Sequence, residues 1–172
     1  MDAKSNKIAA IPHLLRLLQL KGCLVTLDAA GCPTKIASQI VEQGADDILA
    51  VKNKQPGLAK VVRESFESND RNEKAKDLVD FCETQGDARG RTELRRWTVL
   101  KTDSSHPLPP AWESLAAMIR IESERSEGGK TTPHTRYFTS STWINAKDFL
   151  AAIRQHWSIE NHLHGVLIPS RI

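Results

Sequence analysis

The chain has 172 residues, with 24 Lys plus Arg and 21 Asp plus Glu, which leaves a formal net charge of +3. Hydrophobic residues make up 40% of the sequence and charged residues 26%, which excludes a wholly disordered, collagen-like or membrane-embedded chain. The small positive charge permits a local basic face for nucleic acid but does not by itself indicate one. The length suits one domain of ordinary size.

The three cysteines, Cys23, Cys32 and Cys82, form no CxxC pair, and an odd number cannot all pair internally. This pattern favours a reducing compartment. No stretch approaches the roughly 18 apolar residues of a transmembrane helix. The first residues also lack the apolar core of a signal peptide. We therefore predict a cytoplasmic protein with no membrane partner.

The first half of the sequence predicts a helix followed by a compact βαβ unit. Apolar residues at helical spacing predict a helix over residues 8–20, with Pro12 in its first turn. The apolar run Cys23–Leu27 predicts a buried strand with Asp28 at its C-terminal end. A helix over Thr34–Gln43, a Gly44 C-cap and a strand over Asp47–Val51 complete the unit. The two strands are expected to be parallel, with a right-handed crossover.

The second half is predicted to be richer in strands and to end in a helix. Residues 57–84 combine helix formers with a very polar middle, which predicts two helical pieces or one long exposed helix. From about Gly86 onwards the sequence predicts strands at Arg91–Lys101, Met118–Ser123 and Thr135–Ser140, with the turn-like SEGGKTTP between the last two. Asn145 is predicted to cap a final helix that runs to about His164.

The final helix contains a carboxylate among apolar residues. At 3.6 residues per turn, an arc of about 120° holds Phe149, Ile153, His156, Trp157, Glu160, Leu163 and His164. A carboxylate on a buried face must be paired, hydrogen-bonded, protonated or bound to a cation. Geometry alone favours an ion pair of Glu160 with Arg154 or another arginine. Asp28 has a similar alternative, as a turn or cap residue.

Several ordered stretches of the sequence carry a family resemblance. They are TLDAAGCPTKIASQIVEQGADDILAVKNKQ (residues 26–55), RGRTELRRW (89–97), TRYFTSS (135–141) and IRQHWSIENHLH (153–164). In this order they resemble ISAs-type insertion-sequence transposases, a group that includes the H-repeat-associated proteins. Residues 4–22 are also similar to the family's sequence just upstream, so the resemblance covers almost the whole chain.

The resemblance implies a DDE transposase with an RNase H-like fold, in which three carboxylates hold two divalent metal ions. Asp28 in TLDAAG matches the family's second acidic residue, and Glu160 in HWSIEN matches the third. Mg²⁺ is the implied cofactor because this hard cation prefers carboxylate oxygens. The implied partner is DNA at the ends of an insertion sequence, whose phosphodiesters are attacked by activated water and then by a DNA 3′ hydroxyl.

The sequence also departs from the family at both ends. The family's first catalytic Asp precedes the segment that begins here at Lys4, and only three residues stand ahead of it. After His164 the sequence continues with Gly165 and ends VLIPSRI, where the family continues with a Trp and an Asp-containing strand. We therefore expect a truncated member that lacks one metal ligand and is inactive alone.

Two basic clusters and one histidine are candidates for contact with DNA. The clusters are Lys52, Lys54 and Gln55, and Arg91, Arg95 and Arg96 together with Arg89. A solvated surface is the alternative interpretation of both. His156 is expected either to support Glu160 or to contact DNA. A zinc site is disfavoured because His162 and His164 point about 200° apart on a helix.

The sequence thus predicts an α/β protein, and the resemblance implies an incomplete RNase H-like fold, a mixed sheet flanked by helices. Residues 1–84 are expected to form the core, 85–142 a β-rich insertion with a return strand, and 143–172 the C-terminal helix and tail. The predicted function is metal-dependent DNA cleavage and strand transfer. The alternative is a non-catalytic DNA-binding or interaction fragment that interferes with full-length transposase. Full-length transposase or a second copy of the chain is a further possible partner.

Overall fold

The computed structural model describes residues 3–28, 34–52, 55–71, 79–88, 91–102 and 108–166, with side chains for 10–28, 34–52, 55–71, 79–87, 92–102 and 108–157. The helices are α1 (Ala3–Leu17), α2 (Thr34–Glu42), α3 (Pro56–Arg71) and α4 (Ala146–Val166). The strands are β1 (Leu24–Leu27), β2 (Asp46–Val51), β3 (Val79–Ala88), β4 (Arg91–Lys101), β5 (Ala117–Glu127) and β6 (Lys130–Ser140). None of the described helices is long and apolar enough to cross a membrane.

The described strands form a six-stranded sheet in the order β1-β2-β6-β5-β4-β3. β1 and β2 are parallel, as predicted, and the other neighbouring pairs are antiparallel. The predicted mixed sheet with flanking helices is confirmed. The predicted domain boundary at residues 84 and 85 falls within β3, which lies in the same sheet as β1 and β2.

The two faces of the sheet are covered by different helices, because successive side chains of a strand point to opposite faces. α4 covers one face, which we call the α4 face, through a cluster that contains Ile48, Trp97, Ile119, Phe138, Phe149 and Ile153. α3 covers the opposite face, the α3 face, through a cluster that contains Leu49, Leu58, Val62, Phe66, Leu100 and Met118. α1 packs on α2 through a third cluster that includes Leu15, Leu20, Ile36 and Ile40.

The start of α4 is held by two acidic or amide side chains. Asn145 is the predicted N-cap, and its Oδ1 accepts a hydrogen bond of 2.9 Å from the Asp148 backbone N–H. The Ala146 N–H donates to Asp80 Oδ2 of β3 at 2.6 Å. The cap prediction is confirmed, and the second contact ties α4 to the edge of the sheet.

The prediction for residues 57–84 is wrong in its second part. α3 ends at Arg71, and β3 pairs with β4 along its whole length instead of continuing a helix. The ladder satisfies the backbone groups of β3 that face β4, and Cys82 packs beside the apolar cluster under α4. The local sequence pattern of residues 79–88 could not show this, because the strand is stabilised by its pairing with a separate segment, β4.

The position of Pro12 also differs from the prediction. α1 runs from Ala3 to Leu17, so Pro12 lies inside the helix and not in its first turn. An interior proline removes one helical hydrogen bond. The packing of Leu15 on α2 and a hydrogen bond of 2.9 Å from Gln39 Nε2 to the Pro12 carbonyl hold α1 in place.

β5 and β6 are longer than predicted, and most of the predicted turn between them is strand. Only Gly128 and Gly129 form the turn, with φ angles of 57° and 79° that favour glycine. Pro133 is accommodated within β6 because β2 pairs only with residues 137–140, so none of the described strands lies beside Pro133 on that side of β6. The outer half of this hairpin therefore extends past the end of β2.

A buried carboxylate lies at the start of β2. Asp47 is 4% exposed, and the Ser141 backbone N–H donates to its Oδ1 at 3.3 Å. Burial raises the pKa of Asp47 from 3.8 to about 6, with a partial lowering by the Ser141 hydrogen bond and a further rise from the negative charge of Asp46. The folded state therefore holds a proton that the unfolded state releases, and stability falls as pH rises through this window.

We predict that Asp47→Asn removes this pH dependence. Asparagine keeps an oxygen for the Ser141 N–H and carries no charge, so the free energy of unfolding at pH 7 should rise by about 2 kcal/mol. Urea unfolding between pH 4 and pH 7 measures the effect. Asp87→Asn, on the exposed part of β3, is the matched control and should leave the profile of the native chain unchanged. An Asp47→Asn profile that still falls between pH 4 and pH 6 would contradict the assignment.

Candidate nucleic-acid interface and metal site

A cleft with a volume of about 860 Å³ opens at the C-terminal ends of β1 and β2. Its polar lining comes from five elements and includes Thr26, Asp28, Lys52, Arg63, His134, Arg136 and His156. Trp157 and Ile153 of α4 form part of its apolar wall. The cleft therefore combines one carboxylate with several basic groups.

The pleat of the sheet explains why these residues meet. Thr26 and Asp28 are two residues apart along β1 and its end, so both lie towards the α4 face. Lys52 is two residues beyond Ala50, which packs on the same face. Arg136 is two residues from Phe138, which pairs with Ala50 in the antiparallel ladder. Strand alternation thus brings Asp28, Lys52 and Arg136 to one side of the sheet.

Asp28 forms an ion pair at the mouth of the cleft. Lys52 Nζ lies 2.8 Å from Asp28 Oδ1, and the two side chains are 57% and 47% exposed. The predicted position of Asp28 at the end of a strand is confirmed. Because exposed ion pairs contribute only about 0–1 kcal/mol, either partner can exchange the other for a different charged group.

His156 connects α4 to β1. Its Nδ1 lies 2.9 Å from the Thr26 hydroxyl, in a partly buried hydrogen bond. The contact joins residues 130 positions apart in the sequence. It fixes which residue of α4 lies beside Thr26 of β1. His156 therefore positions the helix in addition to lining the cleft.

The other carboxylate predicted from the sequence, Glu160, lies in α4, which continues to Val166. Its side chain lies outside the described part of the structure. Among the described residues, no group of three or more His, Cys, Asp or Glu is placed to hold a metal ion. Asp28 is the carboxylate that the described structure contributes to the cleft lining.

The predicted basic clusters are divided by the structure. Gln55 precedes α3, and its carbonyl accepts the Ala59 N–H at 2.9 Å. Lys54 and the side chain of Arg91 lie outside the described residues. Arg95 and Arg96, which are adjacent in β4, point to opposite faces of the sheet.

Both of these arginines are paired with glutamates. Arg95 bonds Glu93 through two nitrogens at 3.1 and 2.8 Å. Arg96 lies on the α3 face and bridges Glu83 and Glu124 at 3.0 and 3.3 Å. The glutamates thus largely neutralise the charges of Arg95 and Arg96. The two arginines do not form a single basic cluster on one face.

The structure adds Arg136 and Arg63 to the residues that sequence reasoning identified. The Arg136 guanidinium stacks on the Trp157 ring at 4.9 Å from its centroid. The alternation of Arg136 and Phe138 within TRYFTSS is the sequence signal that could have placed Arg136 on the α4 face. The stacking itself joins β6 to α4 and could not be read from either segment alone.

The chain matches a family of known proteins in its sequence. The family model described as Transposase DDE domain matches residues 1–166. The chain belongs to this family. The chain is 38% identical over 168 residues to "H repeat-associated putative transposase YhhI" of Escherichia coli K12, and 39% identical over 171 residues to "Putative transposase YncI" of Escherichia coli O157:H7.

These alignments cover 95% and 96% of the chain but only 44% and 43% of the two relatives. The chain therefore spans less than half the length of these two relatives. No solved structure shows a significant match to the chain. The family resemblance predicted from the sequence is confirmed.

We predict that Thr26→Val loosens α4 from β1. Valine keeps the shape of threonine but leaves His156 Nδ1 without this partner, which should lower the free energy of unfolding by about 1 kcal/mol. Hydrogen exchange should also accelerate in α4 beyond His156. Urea unfolding and exchange measured by mass spectrometry test both effects. Thr84→Val on β3 is the control, and equal exchange in α4 for both variants would contradict the role of the Thr26 contact.

Proposed function

We propose that this chain carries out, as part of a complete catalytic unit, the metal-dependent DNA cleavage and strand transfer that move an insertion sequence. Asp28 and Glu160 are the proposed metal ligands and catalytic carboxylates. The observation that carries the proposal is the hydrogen bond between Thr26 and His156, because it relates the position of α4 to the end of β1. The family membership of residues 1–166 supports the same chemistry.

The spacing along each element supports the pairing of the two carboxylates. Glu160 follows His156 by four residues, which is one helical turn and a rise of about 6 Å. Asp28 follows Thr26 by two residues, an advance of about 6.6 Å along an extended chain. α4 begins near Ser141, which bonds the start of β2, and passes Thr26 near the end of β1, so helix and strand advance in the same sense. We therefore expect Glu160 of α4 to lie at the same height as Asp28, measured along the direction of β1.

The donor chemistry at this position fits Mg²⁺. Both proposed ligands are carboxylates, which hard divalent cations prefer, and Asp28 is accessible at the mouth of the cleft. When bound, such ions polarise a phosphodiester and activate its attacking oxygen. Asp28 and Glu160 would contribute negative charge and orientation. The Lys52 ammonium, which already offsets the charge of Asp28, would bind a nearby DNA phosphate when it leaves that carboxylate.

We further propose that the DNA partner contacts residues around the cleft and along β4. The proposed contacts are Lys52, Lys54, Gln55, Arg91, Arg95, Arg96 and His156. Of these, Lys52 and His156 line the cleft. Arg95 and Arg96 would have to exchange their glutamate partners for phosphates, so we expect smaller contributions from them than from Lys52.

The finer architecture is also a proposal. The parallel pair β1 and β2, the antiparallel β6 beside them and α4 across the same face support an RNase H-like core, with 85–142 as a β-rich insertion. We propose that the chain alone does not cleave DNA, and that full-length transposase or a second copy of the chain is a further partner. A cytoplasmic location is consistent with the free thiols of Cys23 and Cys82 among the described residues.

We predict that Asp28→Asn abolishes the binding of divalent metal to the chain. An amide cannot supply the negative charge that holds the ion, so calorimetry with Mn²⁺ should show heat for the native chain and none for the variant. Asp87→Asn, which removes a carboxylate outside the cleft, should bind like the native chain. Equal Mn²⁺ affinity of Asp28→Asn and the native chain would refute the assignment of Asp28.

The same proteins test the proposed inactivity. Incubation with Mn²⁺ or Mg²⁺ and DNA that carries insertion-sequence ends should give no cleavage by the native chain. Cleavage that disappears in Asp28→Asn would overturn the inactivity while supporting the role of Asp28.

We predict that Lys52→Ala shifts metal binding and DNA binding in opposite directions. Without the ammonium, Asp28 should bind Mn²⁺ more tightly, because no neighbouring cation competes for the carboxylate. DNA binding should weaken, with a salt slope smaller by about one unit. Calorimetry and gel shifts across salt concentrations measure the two effects. Lys60→Ala on α3 is the control, and weaker Mn²⁺ binding in Lys52→Ala would contradict the competition.

A further inference from the structure

We propose that the α4 face of the β5–β6 hairpin binds the DNA strand that enters the cleft, with Arg136 and Arg125 as its phosphate contacts. The inference rests on the proposed function and extends it to a surface outside the Asp28 and Lys52 pair. The ligand is the phosphodiester backbone of DNA, which guanidinium groups bind through two parallel hydrogen bonds.

The two faces of this hairpin carry opposite charges. Because strand residues alternate between faces, Ser123 and Arg125 of β5 lie on the α4 face, while Glu122 and Glu124 lie on the other. The ladder places His134 beside Ser123 and Arg136 beside Ile121 on the α4 face. The α4 face also carries Glu127 and Lys130, which are paired in the ladder, and the other face also carries Arg120. The net charge of the hairpin is therefore positive on the α4 face and negative on the other, so a polyanion favours the α4 face.

Arg136 differs from its arginine neighbours in its partners. Arg95, Arg96 and Arg120 each form an ion pair with glutamate or aspartate. In the described part of the structure, Arg136 and Arg125 have no such carboxylate partner. Glu93 is the acidic residue beside Arg125 in the ladder. Both of its carboxylate oxygens already accept hydrogen bonds from Arg95. The positive charge on this face is thus available for an external anion.

Arg136 is also held in place before any ligand binds. Its guanidinium lies 4.9 Å from the centroid of the Trp157 ring, and Trp157 packs against the apolar cluster under α4. Stacking leaves the edge of the guanidinium free for hydrogen bonds while restricting its rotamers. A restricted side chain loses less entropy on binding than a free one.

The surface is continuous with the cleft at Asp28. Arg136 and Trp157 line that cleft and also a second, adjoining cleft of about 420 Å³. The second cleft is also lined by Arg125, Ser123 and the ion pair of Arg95 with Glu93. β6 is separated from β1 by β2 alone, so Arg136 lies about 10 Å from the strand that ends at Asp28. One DNA strand can therefore pass Asp28, Lys52, Arg136 and Arg125 in turn.

The test measures binding of the full chain to DNA that carries insertion-sequence ends, without metal, at several salt concentrations. Arg136→Ala and Arg125→Ala should each weaken binding about three- to tenfold at low salt and reduce the salt slope by about one. Arg136→Lys keeps the charge and should restore the slope. Arg71→Ala, at the exposed end of α3, removes the same charge from the opposite layer and should leave binding unchanged.

Trp157 is a positioning residue in this scheme. Trp157→Leu should weaken binding without changing the salt slope, because the charge of Arg136 remains but its orientation is lost. In the Arg136→Ala background the same substitution should have no further effect on affinity. Thermal melting of each variant reports its folding, and loss of affinity from Trp157→Leu that is equal in both backgrounds would show a merely structural role.

Two negative results are distinguishable. If the native chain binds no DNA at low salt, both the proposed function and this inference fail. If the native chain binds DNA and Arg136→Ala and Arg125→Ala bind it with the native affinity and slope, the hairpin surface is refuted while the proposed function stands.

Discussion

The packing of α4 across the sheet is the constraint on which the candidate site depends. Phe149 and Ile153 are almost fully buried against Ile48 and Trp97, so the helix cannot rotate without opening the core. The Asp80 contact holds its first residue, and the Thr26 contact holds it one turn before Glu160. Because the helix is rigid between these two contacts, we expect its later residues to pass the end of β1. The position of the proposed second ligand thus follows from packing far from the cleft.

The alternation of strand side chains distributes charge between the two faces. Lys52, Arg136 and Arg125 occupy the face that α4 borders, whereas Arg96 and two glutamates of β5, Glu122 and Glu124, occupy the other. The net charge of the chain is only +3, which hides this separation. A basic surface therefore arises from the arrangement of charges and not from their number. Its extension along β5 and β6 is possible because β2 ends early.

Much of the fold was predictable where local pattern and tertiary packing agree. The parallel unit of β1, α2 and β2, the Gly44 cap and the Asn145 cap follow from signals within a few residues. β3 was missed because its stability comes from its ladder with β4, and the position of Pro12 was missed because α1 is held by packing on α2. The segment SEGGKTTP suggested a turn that includes Pro133, and only the early end of β2 makes a proline acceptable in a strand there.

The sequence alone determined the family, the placement of Asp28 at a strand end and the helical position of Glu160, because these depend on short motifs and on the periods of strands and helices. Only the tertiary structure decided that Lys52 pairs with Asp28, that His156 bonds Thr26, and that Arg95 and Arg96 face apart and are neutralised. It also decided that Arg136 stacks on Trp157. Each of these contacts joins distant segments of the chain or depends on which face of the sheet a residue occupies. Local sequence patterns determine neither the pairing of distant segments nor the face.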